Sequence, residues 1–583
     1  MNIKIIRHSL AHILAIAVKE LYPKVKFGIG PAIENGFYYD FDNLKISDSD
    51  LNKIEKKMKE IIKKNITFKK KEISKPLAKK LFKGQIYKLK LINELEKITI
   101  YESDNFIDLC KGPHIKSSKE ININAFKLTK IAGAYWKGDE KNTMLTRIYG
   151  LAFETKNELE KHFKLLEEAE KRDHRKIGKE LELFMINEDI GIGLPIFLPN
   201  GAIIRKEIEN YIYKELKEVN YQWLYTPHIG SRKLWETSGH WNFYNDSMYP
   251  PLEVGQNLED AQKGKKVKVK EEYLLKPMNC PFHVYVYNNK IRSYRDLPIK
   301  LAELGTVYRY ERSGTLHGLT RVRGFTQDDA HLICLQEQIN EELAKLVKHA
   351  VKMLKEFGFD KYNIYLSTRP EKYVGSIKKW EKTTKALEDI LKKLHLKYQI
   401  DPGGGVFYGP KIDIKIKDSL EREWQCTTIQ FDFNLPSRFK MKYIDKKGKK
   451  KEPYMIHRAL LGSIERFFGI LIEHYAGDFP LWLSPTQVWV IPISSKHKKY
   501  AQEIIKKLKE SNYRCELKDE NDTISKKIRE GEMKKIPYLL IVGDREIKDK
   551  TISVRKRKKG NIGTMKLDKF IEKVKIEIEK KTI

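Results

Sequence analysis

The chain has 583 residues, room for three to five domains at roughly 150 residues each. Its 41% hydrophobic and 11% aromatic content excludes a disordered chain, and five cysteines without regular spacing exclude a disulfide scaffold and suit a reducing compartment. Lys+Arg number 113 against 79 Asp+Glu, a formal net charge of +34 that points to an anionic partner, nucleic acid first, on top of a general lysine bias.

No apolar run reaches the roughly 18 residues of a membrane span. Residues 10–18, behind Lys4 and Arg7, could pass for a signal peptide, but His12 interrupts them and no leader is expected. Residues 7–20 (RHSLAHILAIAVKE) predict a helix with His8 and His12 four apart on one face. The glycine- and aromatic-rich residues 28–42 read as turns joining strands. Residues 51–64 predict an amphipathic helix whose apolar side carries Leu51, Ile54, Met58, Ile61 and Ile62. Strand-like runs over 98–129 surround the loop DLCKGPH (108–114). The almost wholly charged stretch 157–179 predicts one solvated linker helix and a domain boundary. Residues 180–485 mix helices with strands at 411–416 and 428–433 and end on a predicted long helix over 458–475; 250–272 reads as a polar surface loop or hairpin. Beyond Pro485, strands at 488–491, 513–517 and 538–542 alternate with helices at 500–510 and 523–533, the pattern of a small α/β domain with a mainly parallel sheet.

Two sets of residues could hold metal. His8-x₃-His12 with Cys110-x₃-His114 offers four donors in two short pairs, chemically a plausible tetrahedral zinc site. Cys280, His331 and His457 lie 51 and 126 residues apart, and such spacing by itself carries no metal signature. Anion binding has clearer candidates. Residues 304–331 (LGTVYRYERSGTLHGLTRVRGFTQDDAH) predict a hairpin about a Ser313-Gly314 turn, displaying Arg309, Arg312, Arg321 and Arg323 beside Phe325 and suited to clamping polyphosphate and stacking a base. Arg466, inside an apolar helical pattern, must meet a buried anion or emerge at a helix end. Neither GxxxxGK[ST] nor a strand-borne GxGxxG is present, so a P-loop or Rossmann dinucleotide site is unsupported.

Taken together, HSLAH (8–12), GFYYDF (36–41), AGAYWKGD (132–139), LWETSGHW (234–241), KPMNCP (276–281), LHGLTRVRGFTQDDAH (316–331), FYGPKID (407–413) and MIHRALLGSIERFFGILIEHYAG (455–477) make the chain resemble the bacterial threonyl-tRNA synthetases, a family of class II aminoacyl-tRNA synthetases, over nearly its whole length. The resemblance implies a multidomain α+β and α/β architecture: an α+β editing domain (1–155), a linker helix (156–180), a class II catalytic domain with an antiparallel sheet flanked by helices (181–485) and an α/β anticodon-binding domain (486–583). It further implies a cytoplasmic homodimer, paired through the segment ending at Pro227, that joins threonine to threonine tRNA at the expense of ATP.

The resemblance also assigns residues. Arg309 is expected on the ATP α-phosphate, Glu311 near the adenine amine, Phe325 on the base and Arg466 on the γ-phosphate; Arg321, Gln425 and Thr428 join the ATP set, and Lys411 joins the catalytic one. Cys280, His331 and His457 match three zinc ligands, one ion per subunit, with Mg²⁺ accompanying ATP. In the family this zinc takes the amino and hydroxyl groups of threonine, and Asp329 would receive the hydroxyl, with Gln327, Tyr408 and Gln430 around the substrate. Serine differs from threonine by a methyl worth only about 1–3 kcal/mol, so a second, hydrolytic site is needed. His8, His12, Cys110 and His114 match that editing pocket, with Asp108 and Lys88 beside them; the family's pocket works without metal, so these four are taken as tRNA-end-binding and water-orienting groups. Asn521, Glu546 and Arg555 stand where the family reads the anticodon, and RKRKK (555–559) adds phosphate attraction. Three departures stand out: the chain opens at the editing helix without the family's small ubiquitin-like domain, Phe282 replaces a usual glycine, and Gly404 stands where an acidic residue is common.

Overall fold

The computed structural model describes residues 2–255, 257–264 and 271–581, which divide into two compact units, Met1–Glu168 and Ala169–Ile583. In the first unit, helix Ile3–Leu21 buries a continuous apolar face against strand Gly36–Asp42 and helix Asp48–Lys63. The five apolar residues expected on the second helix are all buried, each contributing about 1.5–3 kcal/mol. Strands Gly36–Asp42, Met144–Ala152 and Phe126–Tyr135 form the body of a largely antiparallel sheet, and Lys69–Ile73, Ile98–Ser103 and Phe106–Leu109 form a second one.

The expected single linker helix is two helices, Lys156–Lys171 and His174–Glu180. The break follows from Asp173, whose carboxylate accepts the Arg175 N–H at 2.8 Å and caps a fresh helix start, while His174 turns fully inward. The unit boundary falls inside the first of the two.

The second unit is built on an eight-stranded sheet in the order Gln222–Trp223, Ile299–Tyr308, Gly324–Cys334, Tyr454–Ser463, Glu423–Asp432, Lys411–Lys417, Tyr362–Ser367, Gln399–Asp401. All neighbours are antiparallel except the two outermost pairs. Side chains alternate across a pleat. Ala330, Leu332, Ile412, Ile429 and Ile456 therefore enter the core with helices Pro199–Glu218, Ile339–Glu356 and Ile377–Lys393, leaving Asp329, His331, Gln430 and His457 on the opposite face.

Here the helix expected over 458–475 is corrected. Residues 454–463 form a central strand paired on both sides, and the helix starts only at Ile464, where the Ser463 hydroxyl accepts the Arg466 N–H. A central strand buries both faces, so MIHRALL carries the apolar density of a helix without its function. The expected Ser-Gly hairpin is likewise different: Ile299–Tyr308 and Gly324–Cys334 pair in register, but the connection is the long loop 309–323. The described part of 250–272 forms an antiparallel pair, Leu252–Val254 with Glu271–Leu275, plus helix Leu258–Gln262; residues 256 and 265–270 lie outside the described set.

The last sheet orders Cys515–Leu517, Val488–Pro492, Tyr538–Val542, Ile552–Lys556, Gly560–Met565. Its first three strands are parallel, joined by helical crossovers; the final two are antiparallel because a short hairpin joins them, so the sheet is mixed. No helix among the described residues is long and apolar enough to cross a membrane.

Candidate functional site

A cavity of about 440 Å³ opens on the polar face of the eight-stranded sheet. Its floor is set by register. His331 lies directly opposite His457, which lies opposite Gln430; Asp329 and Thr428 both flank Ala459. Cys280 enters from the first turn of helix Cys280–Asn288. The donor atoms of Cys280, His331 and His457 all lie within 4.8 Å of one another, and all three residues are buried.

The chemistry of this triad suits a divalent ion. His331 Nε2 is buried without a hydrogen-bond partner, while its Nδ1 meets His283 at 2.9 Å. His457 Nε2 lies 2.7 Å from Asp432, leaving its other ring nitrogen. Burial pushes the Cys280 thiol well up and the His331 imidazole well down, so a cation is what would draw a thiolate from this site. Asp329 sits beside the triad, its Oδ1 3.8 Å from His331 Nε2, and its other oxygen accepts from Asn279 Nδ2 at 3.1 Å.

At the other end of the cavity, Arg309 lies over Phe325 at 5.2 Å and donates to the Pro277 carbonyl at 3.2 Å. Burial lowers its pKa from the ordinary guanidinium value, against the opposing pull of Asp329 and Glu311. Arg466 emerges exposed in the first turn of helix Ile464–Tyr475, held by the Thr320 carbonyl at 3.1 Å; a helix N-terminus with an arginine is an anion site on two counts. Glu311, Gln327, Tyr408, Gln425, Thr428 and Gln430 also line the cavity, and Tyr408 hydrogen-bonds Gln430. Arg321 and Lys411 are not among the lining residues: Arg321 pairs with Glu311 at 2.9 Å and Lys411 with Asp413 at 2.5 Å.

In the first unit, His8 and His12 project from helix Ile3–Leu21 toward Cys110 and His114, which follow strand Phe106–Leu109, and the four ligand atoms lie within 4.8 Å of one another. Cys110 Sγ is 3.3 Å from both His8 Nε2 and His114 Nε2 and receives the Gly112 N–H at 3.3 Å. Gly112 is required there, since at φ +73° a Cβ would strike the Tyr101 ring. Asp108 is pinned by Lys88 at 2.5 Å and by the Tyr39 hydroxyl at 2.7 Å, with His12 Nε2 3.5 Å away. His12 Nδ1 is left without a partner. Burial lowers the pKa of His8, His12 and His114 and pushes the Cys110 thiol up to about 11, so the pocket presents neutral imidazoles.

In the last sheet, Asn521 and Glu546 sit in segments leaving the carboxyl ends of parallel strands. Arg555, opposite Leu539, lies toward the other end, and Glu546 accepts the Gly543 N–H at 2.9 Å. Much of the basic run is structural: Lys556 pairs with Glu577, Arg557 donates to the Asp478, Phe479 and Lys535 carbonyls, and Lys558 pairs with Asp478.

Comparison with known proteins follows the same division. Residues 98–149 match the family described as "Threonyl and Alanyl tRNA synthetase second additional domain", 265–475 the "tRNA synthetase class II core domain (G, H, P, S and T)", and 487–577 the "Anticodon binding domain". A threonine–tRNA ligase of Sulfurihydrogenibium is 52% identical across 100% of this chain and 90% of its own length, and that of Borreliella afzelii is 51% identical across 99% and 98%. The chain belongs to the threonine–tRNA ligase family. A solved structure, the RNA binding domain of threonyl-tRNA synthetase from Cryptosporidium parvum, is similar at TM-score 0.65 and 38% identity over 70% of this chain and 98% of its own.

Within this family frame, the structure adds residues that the sequence reading passed over. Asp413 gathers Lys411, Gln425 Nε2 at 2.8 Å and Thr428 Oγ1 at 2.9 Å, and Asp432 holds His457. Both lie two residues along a strand from a residue already singled out, so strand periodicity was the available signal. His240, inside LWETSGHW, also lines the cavity, its ring against Tyr408 and its pKa pushed down to about 3 by burial. Phe282 packs with Trp235 rather than lining the cavity. A side chain at Gly404 would displace the Asp401 carboxylate, which Ser367 Oγ holds at 3.1 Å.

Proposed function

We propose that this chain is an active threonine–tRNA ligase: it activates threonine with ATP, transfers it to the 3′ end of threonine tRNA, and hydrolyses seryl-tRNA in its N-terminal unit. The observation that carries the reading is one cavity holding both the Cys280/His331/His457 triad and the Arg309–Phe325–Arg466 nucleotide clamp. Cys280, His331 and His457 would hold zinc, one ion per subunit, and the ion would supply Lewis-acid recognition of the amino and hydroxyl groups of threonine. Asp329 accepts the hydroxyl proton and is left unpaired by valine, which makes rejection of valine steep. Arg309 and Arg466 hold Mg²⁺-ATP bent, with Phe325 on the adenine, Glu311 at its amine and Arg321 paired to Glu311. Gln327, Tyr408 and Gln430 position threonine, while Lys411, Gln425 and Thr428 line up through Asp413. The threonine carboxylate then attacks the α-phosphorus and pyrophosphate leaves; a terminal ribose hydroxyl of the tRNA takes the threonyl group and AMP leaves. Catalysis is positioning and charge stabilisation.

Serine satisfies Asp329 as threonine does, so correction falls to the N-terminal pocket. There His8, His12, Cys110 and His114 bind the tRNA end and orient water, a histidine or the Lys88 ammonium directing the attack, and Asp108 fixes Lys88 and His12. Asn521, Glu546 and Arg555 contact the anticodon. The domains take the bounds 1–155, 156–180, 181–485 and 486–583. Tyr225, 94% exposed, and Ile229, also exposed, flank Pro227 and support pairing of two subunits there. The free cysteines support a cytoplasmic setting.

ATP–pyrophosphate exchange across all amino acids, with metal analysis of the same sample, tests the reading. Threonine is expected to drive exchange, valine to fail by about 10⁴-fold, and zinc to accompany the protein. Equal exchange with valine would refute the discrimination argument.

A further inference from the structure

Behind the metal-ligand candidate His331 lies a buried chain of polar groups that the reaction itself does not use. His331 Nδ1 faces His283 Nδ1 at 2.9 Å, and His283 Nε2 faces Glu303 Oε2 at 3.2 Å. Glu303 Oε1 receives the Thr226 N–H at 2.9 Å and the Lys276 ammonium at 3.3 Å, and the Thr226 hydroxyl lies within 3.0 Å of both carboxylate oxygens. His331, His283 and Lys276 are at most 1% exposed and Glu303 4%, so every proton in this chain needs an internal partner.

For a neutral His283 the direction of the chain follows from its ends. A carboxylate only accepts, so His283 Nε2 carries the proton toward Glu303. His283 Nδ1 is then a lone pair and must accept from His331 Nδ1–H. That leaves His331 Nε2 deprotonated, and this is the buried nitrogen without a hydrogen-bond partner, on the Asp329 side of the ring and free to serve the cluster with Cys280 and His457. We propose that His283 and Glu303 form an orienting relay that holds His331 in its metal-ready tautomer and thereby sets the affinity of the triad for zinc. The inference rests on the zinc reading of Cys280, His331 and His457. His283 and Glu303 are positioning residues: they act through His331.

The relay makes a prediction that packing alone does not. Glu303→Gln is nearly isosteric, but its amide must place oxygen where Thr226 N–H and Lys276 donate. Its NH₂ then faces His283 Nε2, reverses the polarity of both bonds and puts the proton on His331 Nε2. Glu303→Asp is shorter, yet keeps an acceptor toward His283. Apoprotein of full-length wild type and each variant is titrated with zinc against a chromophoric chelator, and Co²⁺-loaded samples are read by visible absorption. We expect Glu303→Gln to weaken zinc binding about 10- to 100-fold and alter the cobalt spectrum, Glu303→Asp to weaken it less, and His283→Phe combined with Glu303→Gln to be no worse than either alone. The reverse ranking, with the isosteric amide binding as wild type and aspartate failing, overturns the relay. A wild-type chain that takes up no zinc overturns the underlying metal reading instead. Should Glu303→Gln unfold for want of a partner to Lys276, Lys276→Met/Glu303→Gln restores the charge balance with the same reversed bonds and the same expected loss.

Discussion

The two units each carry a compact His/Cys cluster with donor atoms within 4.8 Å, yet the clusters are wired differently. In the second unit each histidine is backed by an outward partner, Asp432 behind His457 and the His283–Glu303 pair behind His331, and an inward nitrogen of His331 stays unpaired. In the first unit Cys110 lies 3.3 Å from both His8 and His114, and the backing groups are of another kind: the Pro113 carbonyl at 3.2 Å from His8 Nδ1, the Ser9 hydroxyl at 3.0 Å from His114 Nδ1, and Asp108, already paired with Lys88, at 3.5 Å from His12 Nε2, whose Nδ1 is unpaired. Donor count alone does not separate a metal site from a water-orienting pocket. On the proposed reading the charge behind the donors does: Asp432 and the Glu303 relay back the second cluster, whereas the one carboxylate behind the first is paired with Lys88.

The comparison breaks most visibly on metal removal. Exhaustive chelation should abolish threonine-dependent exchange by on the order of 10³-fold, since several kcal/mol of Lewis-acid stabilisation disappear. Seryl-tRNA hydrolysis by the same sample should be untouched; joint loss of both would erase the distinction drawn here. Next in size, His8→Ala/His12→Ala should slow hydrolysis of seryl-tRNA by about 10²–10⁴-fold while exchange with threonine survives. Clearance at the wild-type rate would remove the editing assignment. Replacing Asp432 by Asn should cost about 10- to 100-fold in zinc affinity through His457, measurable by chelator competition.

The acid side of the editing profile gives a subtler test. Burial depresses the pKa of His8, His12 and His114, so their neutral forms persist as pH falls through the ordinary imidazole value of 6.5. Editing should stay level through that point and decline only below it; an acid limb at or above 6.5 would contradict neutral, buried bases. The smallest effect belongs to Tyr39→Phe. Loss of its bond to Asp108 should lower the editing rate about tenfold, matching about 1.5 kcal/mol for one hydrogen bond to a carboxylate.

Much was legible in advance. The amphipathic helix near the N-terminus, the alternating C-terminal elements and the His8/His12 and Cys110/His114 pairs stood out from periodicity and spacing, because these depend on neighbours within a turn or a strand, whereas Cys280, His331 and His457 stood out only by resemblance. The failures share a cause. Residues 454–463 carry apolar density that suits a helix, and only pairing with Gly324–Cys334 and Glu423–Asp432 makes them a strand buried on both sides. Charge suggested one linker helix, whereas His174 finds Glu473 at 2.6 Å, almost three hundred residues away, and the helix restarts to meet it.

By itself the order of residues determined composition, local helix and strand tendencies and which side chains have the chemistry to bind metal, phosphate or base. The tertiary structure decided which of them meet: His331 across from His457, Asp413 beneath Lys411, Gln425 and Thr428, Glu303 two hydrogen bonds behind His331. Strand register is a long-range property. It sets which side chains share a face, and no local pattern contains it.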